Sequence, residues 1–270
     1  MVASIGRADL IGAKARELFV VSDAAKRSRV PQDGTPLRCV PDYEPRVLAV
    51  VSNAAYLEVG GEIIWLAQLR LPMHRRAIRG EFDFSAMRSG KLVEREALEL
   101  RDVAVWQPTA MSAKDVAPRD LVIEQVRALR DVVRPEGFPK TLRVSESVRA
   151  LVGLGAGLTP SGDDFLGGMF FAVYHLQRVY PGEFEWNQRA MDEFLEWARP
   201  RTNAISHAIL SDHAQGQSVE PLHDLIAALL KAEGLDQLML HVGQLVRIGS
   251  TSGRDMLAGL LAGMALAESH

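Results

Sequence analysis

Between Gly153 and Gly168 the chain reads GLGAGLTPSGDDFLGG. Gly153, Gly155 and Gly157 alternate ahead of Thr159-Pro160-Ser161-Gly162-Asp163-Asp164, and an apolar run follows. Glycines admit positive φ and let the backbone approach a ligand closely. A Ser161 cap would leave the amides of Gly162, Asp163 and Asp164 without intrahelical partners, and such amides bind anions with help from the helix dipole. Asp163 and Asp164 would repel that anion unless a cation or a ligand amide lies between. The two answers are Mg²⁺ held by carboxylate and hydroxyl oxygens, or carboxylates gripping an NH₂ group. No Gly-Lys-Ser/Thr follows the glycines, so this is not a nucleotide P-loop. The spacing also misses the dinucleotide fingerprint.

The pattern returns 91 residues later. Ser252-Gly253-Arg254-Asp255-Met256-Leu257-Ala258-Gly259 aligns with Ser161–Gly168 as Ser-Gly-x-Asp-x-Leu-x-Gly, each time ahead of an apolar segment. Small residues recur in both segments: Gly167, Gly168 and Ala172, then Ala258, Gly259, Ala262 and Gly263. They predict a central helix pair with adjacent N-termini, related by an approximate two-fold. Both copies match the Ser-x-x-acid capping box, which alone is structural. Asp164 aligns with Asp255 and is expected to close that box. Asp163 aligns with Arg254, so the fold does not demand an acid there; its replacement by Asn is expected to leave stability nearly unchanged. Asp163 and Ser161 are therefore the candidate catalytic residues, with Asp163 also the candidate Mg²⁺ ligand. Gly155, Gly157, Thr159, Gly162, Ser252, Gly253 and Arg254 are the candidate substrate-binding residues.

The elements that position this motif divide the chain into a β-rich domain over residues 1–110 and a helical domain over 111–270, an α+β chain. Val47–Ser52 is an apolar run, and Gly60-Gly61 between Ala54–Val59 and Glu62–Ala67 signals a hairpin. Glu96–Trp106 alternates with a slip near Asp102 that a bulge would explain. Thr35–Pro45 and Arg75–Gly90 read as loops, and the sheet is expected to be small and either bent or closed. Pro108–Pro118 reads as a linker. Helices are predicted at Asp120–Val133, ended by Pro135 and Gly137, and at Ser145–Val152, Asn187–Ala198, Thr202–Ala214, Pro221–Ala232 and Leu235–Val246. Thr202 is the expected cap of its helix, with Arg201 beside it able to reach an anion. His207, His213, His223 and His241 share no helix face and read as structural. Arg70, His74, Arg75, Arg76 and Arg79 read as a solvated basic loop. The tryptophans Trp65, Trp106, Trp186 and Trp197 read as core or partial-core residues.

Composition narrows the partners. With 31 basic against 34 acidic residues, the chain lacks the basic footprint of a nucleic-acid binder. The apolar runs Phe165–Leu176 and Met256–Ala267 are shorter than the roughly 20 residues needed to cross a bilayer, so no membrane partner is expected. The first 20 residues lack the apolar core of a signal peptide, and Cys39 is the only cysteine, which together fit the cytoplasm.

GLGAGLTPSGDDFLGG resembles the signature of the family of the AllH-type subunit of oxamate carbamoyltransferase. GSTSGRDMLAG and Arg201-Thr202-Asn203-Ala204-Ile205-Ser206 are similar to that family's other blocks, while Ala156 stands where a proline is expected. The resemblance implies one subunit of a multi-subunit carbamoyltransferase in allantoin and purine-nitrogen catabolism. Such an enzyme interconverts oxalurate plus phosphate with oxamate plus carbamoyl phosphate, small anions all. A non-catalytic assembly subunit and a stand-alone metal-dependent hydrolase are the alternatives. The Ser-x-Arg-Thr site of well-known transcarbamoylases is absent.

Overall fold

The computed structural model describes residues 5–19, 45–85, 87–91, 93, 98–100, 103–111, 113–133, 147–184 and 187–265. Cys39, Asp102, Pro135, Gly137 and Trp186 lie outside them. The chain forms two compact units, Met1–Gln107 and Pro108–His270.

Among the described residues the first unit holds a seven-stranded sheet. Its strands are β1 (Gly6–Gly12), β2 (Arg46–Val51), β3 (Ala54–Val59), β4 (Glu62–Gln68), β5 (Ala77–Phe82), β6 (Leu98–Glu99) and β7 (Ala104–Trp106), with α1 (Ala13–Phe19) after β1. The order is β2-β3-β4-β5-β1-β6, and β7 also pairs with β1. The path is open, which corrects the closed-sheet alternative. The β3–β4 hairpin is as the glycine pair predicts: antiparallel from Ala54↔Ala67 to Val59↔Glu62, with Gly60 and Gly61 at φ of 60° and 82°. Ile63, Ile64, Trp65, Leu66 and Ala67 of β4 are all buried, as a strand covered on both faces requires.

Two N-terminal readings need correction. The segment read as a loop over Arg75–Gly90 contains β5, antiparallel to β1. Its charged residues and Gly80 hide the strand pattern, yet a Cβ on Gly80 would overlap the Arg7 carbonyl, so only glycine fits beside the register shift in β1. Arg76 is not solvated: it is 6% exposed, donating to Glu62 Oε2 at 2.8 Å and to the Ile63 carbonyl at 3.0 Å. His74 is also buried, its ring tilted against that of Trp65 with centroids 4.7 Å apart.

The second unit holds α2 (Arg119–Val133), α3 (Ser147–Leu151), α4 (Ser161–Val179), α5 (Gln188–Ala198), α6 (Ala204–His213), α7 (Glu220–Leu230), α8 (Leu235–Leu245) and α9 (Ser252–Ala265). Asn187 caps α5, accepting from the Ala190 amide at 3.0 Å. Phe171, Ala172 and Leu176 of α4 share one core with Leu222, Leu225 and Leu229 of α7, Leu245 of α8 and Leu257, Leu260 and Leu261 of α9. Leu166, Met169 and Phe170, on another side of α4, pack with Val148, Leu210 and Ala214. A helix enclosed on several sides must be apolar nearly all round, which is why α4 shows so weak a polar stripe. Among the described residues no helix is long and apolar enough to cross a membrane.

Candidate functional site

The repeated motif builds a symmetric helix pair. A Cβ added to Gly168 would overlap the Met256 carbonyl and lie 2.9 Å from Leu260 N. One added to Gly259 would overlap the Phe165 carbonyl and lie 2.9 Å from Met169 N. Phe165, Gly168 and Met169 are the repeat partners of Met256, Gly259 and Leu260, so the contact is reciprocal, as an approximate two-fold demands. At the entrance of each helix, Gly162 meets the Leu151 carbonyl and Gly253 meets the Leu245 carbonyl, again too closely for a Cβ. Gly167 has a different reason: a Cβ there would run into the His213 ring. Gly162, Gly167, Gly168, Gly253 and Gly259 thus serve close backbone and ring approach, whereas a Cβ on Gly157 would meet nothing within 4 Å.

The helix starts differ from the expected capping boxes. Pro160, not Ser161, is the N-cap of α4, and no side chain caps it. The amides of Asp163 and Asp164 donate to the Pro160 carbonyl at 2.9 and 3.1 Å, and that of Gly162 to the Leu154 carbonyl at 2.8 Å. The second copy repeats this: Arg254 and Asp255 donate to the Thr251 carbonyl, and Gly253 to the Ile248 carbonyl at 3.0 Å. The amides expected to hold an anion are therefore already bonded, because the preceding loop folds back over each helix end.

What the two helix starts share is hydroxyls and carboxylates. Thr159 Oγ1 lies 2.9 Å from Ser252 Oγ, and Ser161 Oγ lies 3.5 Å from Thr251 Oγ1. Asp164, only 3% exposed, accepts from the hydroxyls of Ser252 and Thr159 and so reaches across the pair instead of closing a box. Burial is the main force that pushes its carboxyl up to about 7; those two hydrogen bonds oppose the shift, and the charges of Asp255 and Asp163 reinforce it.

Asp163 has the role least expected of it. Its Oδ1 accepts from the Gly153 amide at 2.8 Å; its Oδ2 accepts from Ser206 Oγ at 2.6 Å and from Thr202 Oγ1. With 2% exposure it brackets the glycine loop to the start of α6. Thr202 therefore does not cap α6; Asn203 does, accepting from the Ser206 amide at 3.0 Å, while its Nδ2 donates to the Leu158 carbonyl. Held at both ends, Leu154, Gly155, Ala156 and Gly157 are exposed, with Gly155 and Gly157 at φ of 121° and 99°. The Arg201 guanidinium lies 4.2 Å over the Trp197 ring and donates to the Trp197 carbonyl at 2.6 Å, with Arg149 5.0 Å over the same ring. Gly153 packs directly on the Arg201 backbone. Gly155, Gly157, Thr159, Ser161, Gly162, Ser252 and Gly253 thus gather in one region, with Arg254 exposed at its margin.

Sequence spacing also misses a histidine group. His213 Nε2 lies 2.8 Å from Ser218 Oγ, and the Ser218 amide donates to His223 Nε2 at 3.0 Å. The rings of His175 and His223 lie 4.5 and 5.0 Å from that of Phe171. Burial pushes His213 and His223 down to about 3 and His175 down to about 4. An unfolded imidazole, near 6.5, takes up its proton first, so their contribution to stability is full above pH 6.5 and lost progressively as pH falls toward about 4 for His175 and about 3 for His213 and His223. Three imidazoles are expected to keep neutral chemical shifts at pH 5, where an exposed histidine is mostly charged. Ordinary midpoints near 6.5 for all of them would contradict this packing.

Residues 151–264 match the family model described as oxamate carbamoyltransferase subunit AllH, which bears out the resemblance read from the motif. No solved structure matches the chain.

Proposed function

We propose, from this likeness to an oxamate carbamoyltransferase subunit, that the chain supplies a small-anion site to a multi-subunit carbamoyltransferase. Its substrates would be oxamate or oxalurate with carbamoyl phosphate or phosphate, as in allantoin catabolism, and its setting the cytoplasm. In the forward direction the oxamate nitrogen attacks the carbamoyl carbon, phosphate leaves, and the nitrogen gives up a proton. The attack builds charge on the carbamoyl oxygen, which positioned donors stabilise.

The observation that carries this reading is the exposed stretch Leu154–Gly157, pinned by Asp163 through Gly153, on which the Arg201 backbone packs. Its backbone is open to an anion, whereas the first amides of α4 are not. Gly155 and Gly157 would let a substrate approach closely, and the hydroxyls of Thr159, Ser161 and Ser252 would donate to phosphate or carbamoyl oxygens. Gly162 and Gly253 shape the entrance; Arg254 stands at its edge. Asp163 acts as the positioning residue for the loop instead of a direct catalyst or metal ligand.

The isolated chain is expected to fold but give no turnover, while adding its partner subunits restores carbamoyl phosphate formation from oxalurate and phosphate. Robust turnover by the chain alone would instead favour a stand-alone enzyme. One observation favours an assembly subunit: Gly153, Gly162, Gly167, Gly168 and Asp163 are accounted for by packing and hydrogen bonds. On that reading Arg201→Gln leaves turnover of the complex intact; on the reading preferred here it weakens phosphate use about tenfold or more.

A further inference from the structure

We propose that Asp164 and Asp255, repeat-equivalent acids at the starts of α4 and α9, hold one divalent oxygen-seeking cation such as Mg²⁺. The two carboxylates are repeat equivalents, on helices whose starts touch through Thr159–Ser252 and Ser161–Thr251. Both leave an oxygen unused: Asp164 Oδ2 and Asp255 Oδ2 are each buried with no hydrogen-bond partner. For Asp164 the whole residue is 97% buried, being 3% exposed. An unpaired carboxylate oxygen in such a place is expensive to leave unmet. The charges acting on Asp164 are those of Asp255 and Asp163, both negative, so the region carries an excess of negative charge that a cation would offset.

The donor chemistry selects the ion. Everything the two helix starts present here is oxygen: two carboxylates and the hydroxyls of Thr159 and Ser252. Among the described residues no three His, Cys, Asp or Glu side chains converge as a closed transition-metal site would require. Mg²⁺ suits such a set, since it is commonly held by one or two carboxylates and completes its shell with water and substrate oxygens. The helix N-termini oppose a cation only weakly, because the first amides already donate to loop carbonyls. The site differs from one built on Asp163, whose two oxygens are taken by Gly153, Thr202 and Ser206. A cation here would lie at the foot of the glycine loop and could meet a phosphate or carboxylate oxygen. That last step rests on the function proposed above; cation binding does not, so the two can fail separately.

The test is a Mn²⁺ titration of the full-length chain after chelator treatment, followed by electron paramagnetic resonance, with Mg²⁺ as competitor. One saturable site per chain is expected, displaced by Mg²⁺, with affinity at least tenfold weaker in Asp164→Asn and in Asp255→Asn. Circular dichroism establishes that each variant is folded. Should Asp164→Asn fail to fold, Asp255→Asn and Ser252→Ala, at partly exposed positions, decide the matter by the same loss of affinity. No saturable binding at millimolar Mn²⁺, or binding unchanged in the folded variants, would overturn the site and leave the pair sharing a proton instead.

Discussion

Gly259→Ala is expected to lower the melting temperature of this protein by about 10 °C or more, the equivalent of roughly 3 kcal/mol. A single methyl has this effect because of what it meets. The new Cβ would overlap the Phe165 carbonyl and sit 2.9 Å from Met169 N, so it strikes the backbone of α4 and no flexible side chain can yield. Relief requires moving two buried helices apart, which opens gaps along Ala172 and Gly263, the next contact down the pair. Gly168→Ala should do the same by symmetry. Gly243→Ala is the control: that glycine is also helical, but a Cβ there meets nothing within 4 Å. It should stabilise α8 by roughly 0.5–1 kcal/mol through the helix preference of alanine. Thermal melts of the three variants check the claim, and a Gly259→Ala protein that melts with the wild type would refute the packing.

Asp163→Ala is expected to destabilise the helical unit by about 3 kcal/mol or more and to loosen the glycine loop. The carboxylate gathers the Gly153 amide and the hydroxyls of Thr202 and Ser206, and charge-assisted bonds of this kind contribute roughly 1.5–3 kcal/mol each. Their sum is not recovered in full, because the freed hydroxyls can turn to other acceptors. Asp163→Asn keeps the shape and one oxygen, and should cost about 1–2 kcal/mol. Hydrogen exchange adds a specific signature: the Gly153 amide should lose protection in both variants before the core of α4 does. An Asp163→Asn protein as stable as the wild type, with that amide still protected, would restore the freer role the sequence assigns it.

The contrast between the two acids shows where sequence reasoning stops. Ser-Gly-x-Asp-x-Leu-x-Gly is legible as a helix pair because its geometry is written in local spacing and repeated. Asp163 is not legible, because its partners Thr202 and Ser206 stand 39 and 43 residues away, at the start of another helix. The repeat comparison even points the wrong way: Arg254 shows that the helix does not need an acid there, but not that the loop does. The capping box fails for a related reason. Its pattern is met twice, yet each helix begins one residue earlier in its capping scheme, with Pro160 and Thr251 ahead of the serines. His175, His213 and His223 meet only through the packing of α4, α6 and α7, a relation no spacing records. In the sheet, the Gly60-Gly61 hairpin is spelled out locally, whereas β5 escapes notice because Arg79, Gly80 and Glu81 interrupt its apolar pattern.

The most direct test of the working site is Ser161→Ala in the reconstituted multi-subunit complex, assayed for carbamoyl phosphate formation from oxalurate and phosphate. Ser161 stands at the joined helix starts, and its hydroxyl makes only the long 3.5 Å contact to Thr251, so stability should change by no more than about 0.5 kcal/mol. Turnover is expected to fall about 100-fold, the usual effect of removing one donor from a developing oxyanion, while the complex still assembles. Full turnover in an intact complex would contradict the account, leaving the motif a device for packing two helices.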